Sequence, residues 1–136
     1  MKSIKKLFYS EIIIFVLIFS YFLISFKYDL ARVYFLILAI LGLTFLILGI
    51  ILTIKAKKEK GNLRIFLMSS GISAIAPFLG TILHNLFYGL AIAFQNFKFF
   101  FEALHVTFFI ISLIVAPILF IIGILGTIIE FNKNSN

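Results

Sequence analysis

The two histidines, His84 and His105, are the residues of this chain best equipped for chemistry. A neutral imidazole can ligate a metal or haem iron, carry a proton, or hold a hydrogen bond inside an apolar medium. Asn85 follows the first, and Glu102 stands one helical turn before the second. If the histidines lie on facing helices at one depth, they are candidates to hold a haem iron, or a metal ion with help from Glu102. A third clear ligand and the remainder of a haem pocket are missing, so the simpler expectation is no cofactor and no metal. On that reading His84 shares a hydrogen bond with a serine, a backbone carbonyl or a tyrosine, and Asn85 pins a helix contact. Depth depends on the turn between them. A turn at Gln95 and Asn96 leaves each about ten residues away and makes them level, whereas laying Phe97 to Phe101 along the membrane surface separates them by about one or two helical turns.

Other chemistry is sparse. There is no glycine-rich phosphate loop, no metal-protease helix and no nucleophile with a base beside it, so no catalytic residue is assigned. Cysteine is absent, which excludes disulfides, thiol catalysis and thiolate metal sites. Glu11 has two readings: an interfacial carboxylate beside Lys5 and Lys6, or a proton-coupled carboxylate of the kind used by small exporters. Its place at the end of an apolar run, away from the midplane where a transport carboxylate belongs, favours the first.

The elements that must position these groups follow from composition. The 136 residues are 63% apolar, 18% aromatic and 12% charged, too greasy for one water-soluble core. Apolar runs of about twenty residues cross a bilayer. Four such runs, about 8–27, 33–54, 65–94 and 103–131, predict an all-α fold: a single transmembrane domain over 1–136, a four-helix bundle of two consecutive antiparallel hairpins. The first run is read as a retained crossing and not a cleaved signal, because Glu11 opens it, it is long, and no small-x-small site follows. Tryptophan is also absent, so Tyr9, Tyr28, Tyr34 and Tyr88 take the interfacial aromatic role.

The net charge of +7 sits in the gaps between runs, where no stretch is long enough for a nucleic-acid-binding domain. The amino-terminal lysines, the connection Lys55 to Arg64, and Lys133 hold nine of the twelve basic residues; Lys27, Arg32 and Lys98 fall on the other side. The positive-inside rule then puts both termini in the cytoplasm of a cell (inner or plasma) membrane, with anionic headgroups at the basic loop.

Within the third run, Ser69, Ser73, Ala76, Pro77, Gly80, His84 and Tyr88 fall within roughly 60° of one line on a helix, opposite Met68, Ile72, Ile75, Leu79, Ile82, Leu86 and Leu90. In the fourth, His105, Ser112, Ala116, Gly123 and Glu130 share a line, with Thr127 beside them. In the second, Phe35, Gly42, Gly49 and Thr53 share a face that lets another backbone approach. Pro77 and Pro117 mark expected bends. Gln95 to Glu102 suits an interfacial segment, and Asn132 to Asn136 a disordered tail. Turned together, these faces form a polar interior of Ser69, Ser73, His84, Asn85, Tyr88, His105 and Ser112.

The segment from Ser69 through Pro77, Leu83-His84-Asn85 and Tyr88, followed by Ala116-Pro117 and Gly123 with Gly126, resembles uncharacterised small four-helix membrane proteins of bacteria and archaea. That resemblance implies the architecture and carries no activity. The expected role is a structural or interaction component of a membrane assembly, self-associated or with a membrane protein partner. The alternatives are an oligomeric small transporter or channel lined by Ser73, Gly80, His84 and Tyr88, and a histidine-ligated haem or metal redox protein.

Overall fold

The computed structural model describes Lys2–Lys27 and Val33–Lys133, with the surroundings of side chains 26, 27 and 33–35 left aside. The polar connection expected between the first two runs, with Tyr28, Asp29 and Arg32, the side chains of Lys27, Tyr34 and Phe35, and residues 134–136 therefore lie outside the described residues. Lipid offers backbone groups no hydrogen bonds, so a spanning segment must satisfy its own, and a helix does this internally. The described chain is helical accordingly: α1 (Lys2–Lys27), α2 (Val33–Ala56), α3 (Gly61–Ala93), a 3₁₀ turn (Gln95–Phe97), α4 (Lys98–Ile110), a π-helical turn (Ile111–Val115) and α5 (Ala116–Lys133).

Among the described residues four helices are long and apolar enough to cross a membrane, the fourth being the continuous rod from Gln95 to Lys133. Their outward surface is hydrocarbon: Ile13, Leu36, Ile40, Ile82 and Leu125 each leave about half or more of their area uncovered. Such a girdle is suited to lipid tails and would aggregate in water.

The helices exceed the expected spans at several ends. α1 begins at Lys2 and α3 at Gly61, because the polar flanks continue the helix into the headgroup region. Gly61 has φ +58, a conformation glycine adopts without a Cβ penalty, and it reverses the chain after the turn at Lys58 and Glu59. The Gln95 to Glu102 stretch is not a separate segment lying on the surface. It turns at Gln95–Phe97, and Lys98 opens α4, where Lys98 reaches Glu102 at 3.7 Å. Likewise Asn132 and Lys133 belong to α5, with Lys133 donating to Glu130 at 2.8 Å.

The two prolines behave differently. Pro77 sits within an unbroken α3, and its carbonyl accepts the Thr81 hydroxyl at 2.7 Å. Pro117 directly follows the first residue after the π-turn. Its ring crowds the carbonyl four residues back, at Leu113, and a wider turn there relieves that contact. The residues turned toward α3 record the adjustment. Phe108, Ser112, Ala116 and Phe120 are three successive four-residue steps, overrunning the 3.6-residue turn by about one residue, which the π-turn absorbs.

α3 touches α2 on one side and α4, the π-turn and α5 on another, while α1 packs along α2. One apolar core near the basic end joins Ile4, Phe8, Leu52, Leu63, Leu67 and Phe131. A second joins Phe45, Ala74 and Phe120, against which Phe15 lies at 4.6 Å from the Phe120 ring.

Candidate functional site

The turn at Gln95–Phe97 decides the question of depth, and His84 and His105 are level. Their rings stack at 3.9 Å between centroids, 23° from parallel. His84 Nδ1 lies 3.2 Å from the carbonyl of His105, and His105 Nδ1 lies 3.1 Å from the carbonyl of His84. A carbonyl can only accept, so each Nδ1 carries the hydrogen and donates. The arrangement is reciprocal: each ring crosses to the other helix's backbone and covers its partner's face.

Aromatic rings close around the pair. Phe109 lies 5.4 Å from His84, Tyr88 lies 5.2 Å from His105, and Phe87 stacks on Phe108 one turn away at 5.5 Å. The imidazoles are half-buried, and Tyr88 is more than half exposed at 54%. The stacked faces do not offer two Nε2 atoms to opposite sides of one iron, the geometry a bis-histidine haem requires. Among the described residues no group of three or more histidine, aspartate or glutamate side chains comes together to hold a metal ion.

The remaining residues of the expected polar face divide. Ser69 donates across to the carbonyl of Leu119 at 3.3 Å, joining α3 to α5. Ser73 is buried. Ser112 bonds back to Phe108 at 2.8 Å while its side chain lies against Gly80. Asn85 is exposed and donates to the Thr81 carbonyl at 3.0 Å on its own helix, so in this structure it pins no contact between helices. The groove beside Gly80, lined by Ile72, Leu79, Leu83, Phe108 and Ile111, is apolar and stops short of His84.

Small residues set the closest approaches. A Cβ on Gly49 would lie 2.8 Å from both the Ala74 Cβ and the Gly71 carbonyl, and one on Gly71 would lie 2.8 Å from the Gly49 carbonyl. Thus α2 and α3 meet nearly backbone to backbone. A Cβ on Gly123 would come within 2.8 Å of the Ser70 amide, and Phe66 lies over Gly126, so α3 and α5 meet in the same way. Thr53 turns its hydroxyl to the Gly49 carbonyl at 2.8 Å. By contrast, Gly42 has nothing within 4 Å of its Cβ position. Of the described residues on the expected face of the second helix, Gly49 and Thr53 are used and Gly42 is not.

Glu11 departs from its expected interfacial place. It is fully buried, and neither carboxylate oxygen has a hydrogen-bond partner. One oxygen lies 3.4 Å from the Cβ position of Gly49. The missed signal was periodicity: Ile4, Phe8, Glu11 and Phe15 form one helical stripe, and its apolar members pack inward. Nearby lysines are occupied elsewhere, with Lys55 donating to Ser3 at 2.7 Å and Lys5 placed 4.9 Å from the centre of the Phe131 ring.

No protein-family model matches the chain, and neither a curated protein nor a solved structure does.

Proposed function

We propose that this chain is a four-helix bundle of a cell membrane, two antiparallel hairpins with both ends in the cytoplasm, and that it serves as a structural or interaction component of a membrane assembly. The observation that carries this reading is the closed histidine pair. The most reactive side chains in the outer half spend their donors on each other's backbone at 3.1 and 3.2 Å, and the groove beside Gly80 is apolar and does not include them. Polar atoms used this way fix helix register, and they do not line a path for a solute.

The basic end supports the orientation, since the Lys55 connection, the α1 lysines and Lys133 gather there through the Lys55–Ser3 and Lys5–Phe131 contacts. Anionic headgroups are the lipid partner at that end. The protein partner, a second copy or another membrane protein, packs on the exposed apolar flank.

The test is native electrophoresis of mild-detergent extracts of host membranes. The chain should migrate in an assembly larger than its own 15.5 kDa plus a detergent belt. Migration as a bare monomer in the gentlest detergents, together with solute flux in vesicles that His84→Ala abolishes, would replace this reading with the transporter.

A further inference from the structure

The buried carboxyl of Glu11 stands outside the histidine site, and the proposed role makes no use of it. Glu11 sits about 8 Å along the helix axis inward of Lys6, between Phe8 and Phe15. Phe8 packs on Phe131 at 5.6 Å between ring centroids and Phe15 on Phe120 at 4.6 Å. Glu11 therefore lies between the same two contacts that bracket Thr127 on α5. Thr127 is also fully buried, and its hydroxyl oxygen also has no partner. On the α2 side Gly49 supplies the clearance that the carboxyl occupies.

Among the described residues no charge compensates the site. The charged groups at this end of the elements around it are Lys2, Lys5 and Lys6 on α1, Lys55 on α2, Arg64 on α3, and Glu130 and Lys133 on α5. Lys5 is directed at Phe131, Lys55 at Ser3, and Lys133 at Glu130, while Lys2, Lys6 and Arg64 are exposed. A bare carboxylate enclosed by phenylalanines and lipid-embedded helices is prohibitively unfavourable, so the group must be neutral or must hold a cation.

We propose that Glu11 is an exchangeable proton-binding site buried between Gly49 of α2 and Thr127 of α5. The carboxyl holds its proton at neutral pH while α1 is packed. Releasing the proton to water leaves a carboxylate that the interior cannot solvate, so release is tied to α1 loosening from α2 and α5. Proton occupancy and the seating of the first helix are thereby one equilibrium.

The test is infrared spectroscopy of the full chain in lipid vesicles at about pH 7, where exposed carboxylates are ionised. The expected result is a carbonyl band of an un-ionised carboxylic acid that is present in the native chain, absent from Glu11→Gln, lost as pH is raised, and unchanged by added sodium ion. A spectrum with carboxylate bands alone, or an acid band that survives in Glu11→Gln, overturns the proposal. An acid band that sodium removes at constant pH also overturns it, because the site would then take a metal cation. Should Glu11→Gln fail to fold, the native chain supplies the second measurement. An apolar carbodiimide, which attacks protonated carboxyls from the lipid phase, should modify Glu11 at least about tenfold faster than Glu102 or Glu130. Equal or slower modification of Glu11 contradicts the proposal.

Discussion

At the scale of single residues, the histidine pair shows what a sequence can and cannot fix. His84 was legible as an inward-facing polar group from its spacing with Ser73 and Gly80, yet its partner depended on where the chain turned, which no local pattern decided. The 3₁₀ turn at Gln95–Phe97 made the two imidazoles level, and stacking with reciprocal bonds followed. Buried hydrogen bonds between membrane helices average about 0.6 kcal/mol and reach about 1.7 kcal/mol. A double-mutant cycle of His84→Ala and His105→Ala, followed by unfolding in mixed detergent micelles, should therefore return a favourable coupling on the order of 1 kcal/mol. A coupling indistinguishable from zero would mean that the pair is not made in lipid. Asn85, one residue along, is exposed and bonded within its own helix, so Asn85→Ala should leave stability within about 0.5 kcal/mol. Glu11 was misread for a physical reason. Its neighbours Lys5 and Lys6 mark an interface in one dimension, whereas the stripe it shares with Phe8 and Phe15 turns it inward in three.

At the scale of helices, shape dominates over polarity. In lipid no hydrophobic force separates a helix from the tails around it, so close approach of small residues decides which faces meet. Gly49 and Gly42 were equal candidates in the sequence, both spaced to share one face of α2. Only Gly49 meets another backbone. Gly49→Ala should destabilise by about 1–3 kcal/mol through crowding of Ala74 and the Gly71 carbonyl. Gly42→Ala should be neutral, or stabilising by up to about 1 kcal/mol from helix propensity. Thermal or detergent unfolding of the two variants measures the contrast, and equal effects would argue against this packing. The prolines were visible as breakers, but the wide turn before Pro117 was not, because it is written in the drift of the buried positions to four-residue steps. Pro117→Ala frees Ile111–Val115 to close into an α-helix, which would rotate α4 by about 100° relative to α5. In a chain with no cysteine of its own, the pair His84→Cys and His105→Cys should form a disulfide readily, and far less so when Pro117→Ala is added. Undiminished cross-linking would show that the π-turn does not depend on the proline.

At the scale of the whole molecule, four apolar rods and the collection of basic residues at one end were legible from composition alone, because lipid permits so few solutions. Which helix lies against which was not, since Leu and Ile on every face give no pattern to read; the small residues around Gly71 and Gly123 carry that information. In the proposed topology the chain crosses the membrane four times and leaves its basic loop and both ends on one side. Absence of cysteine makes single-cysteine labelling in intact cells its most direct measurement. Asn96→Cys should react with a membrane-impermeant maleimide from outside. Lys57→Cys, and a cysteine placed at Lys133, should react only after the membrane is opened. Labelling of position 57 or 133 in sealed cells, or of all three positions from the same side, would contradict the account.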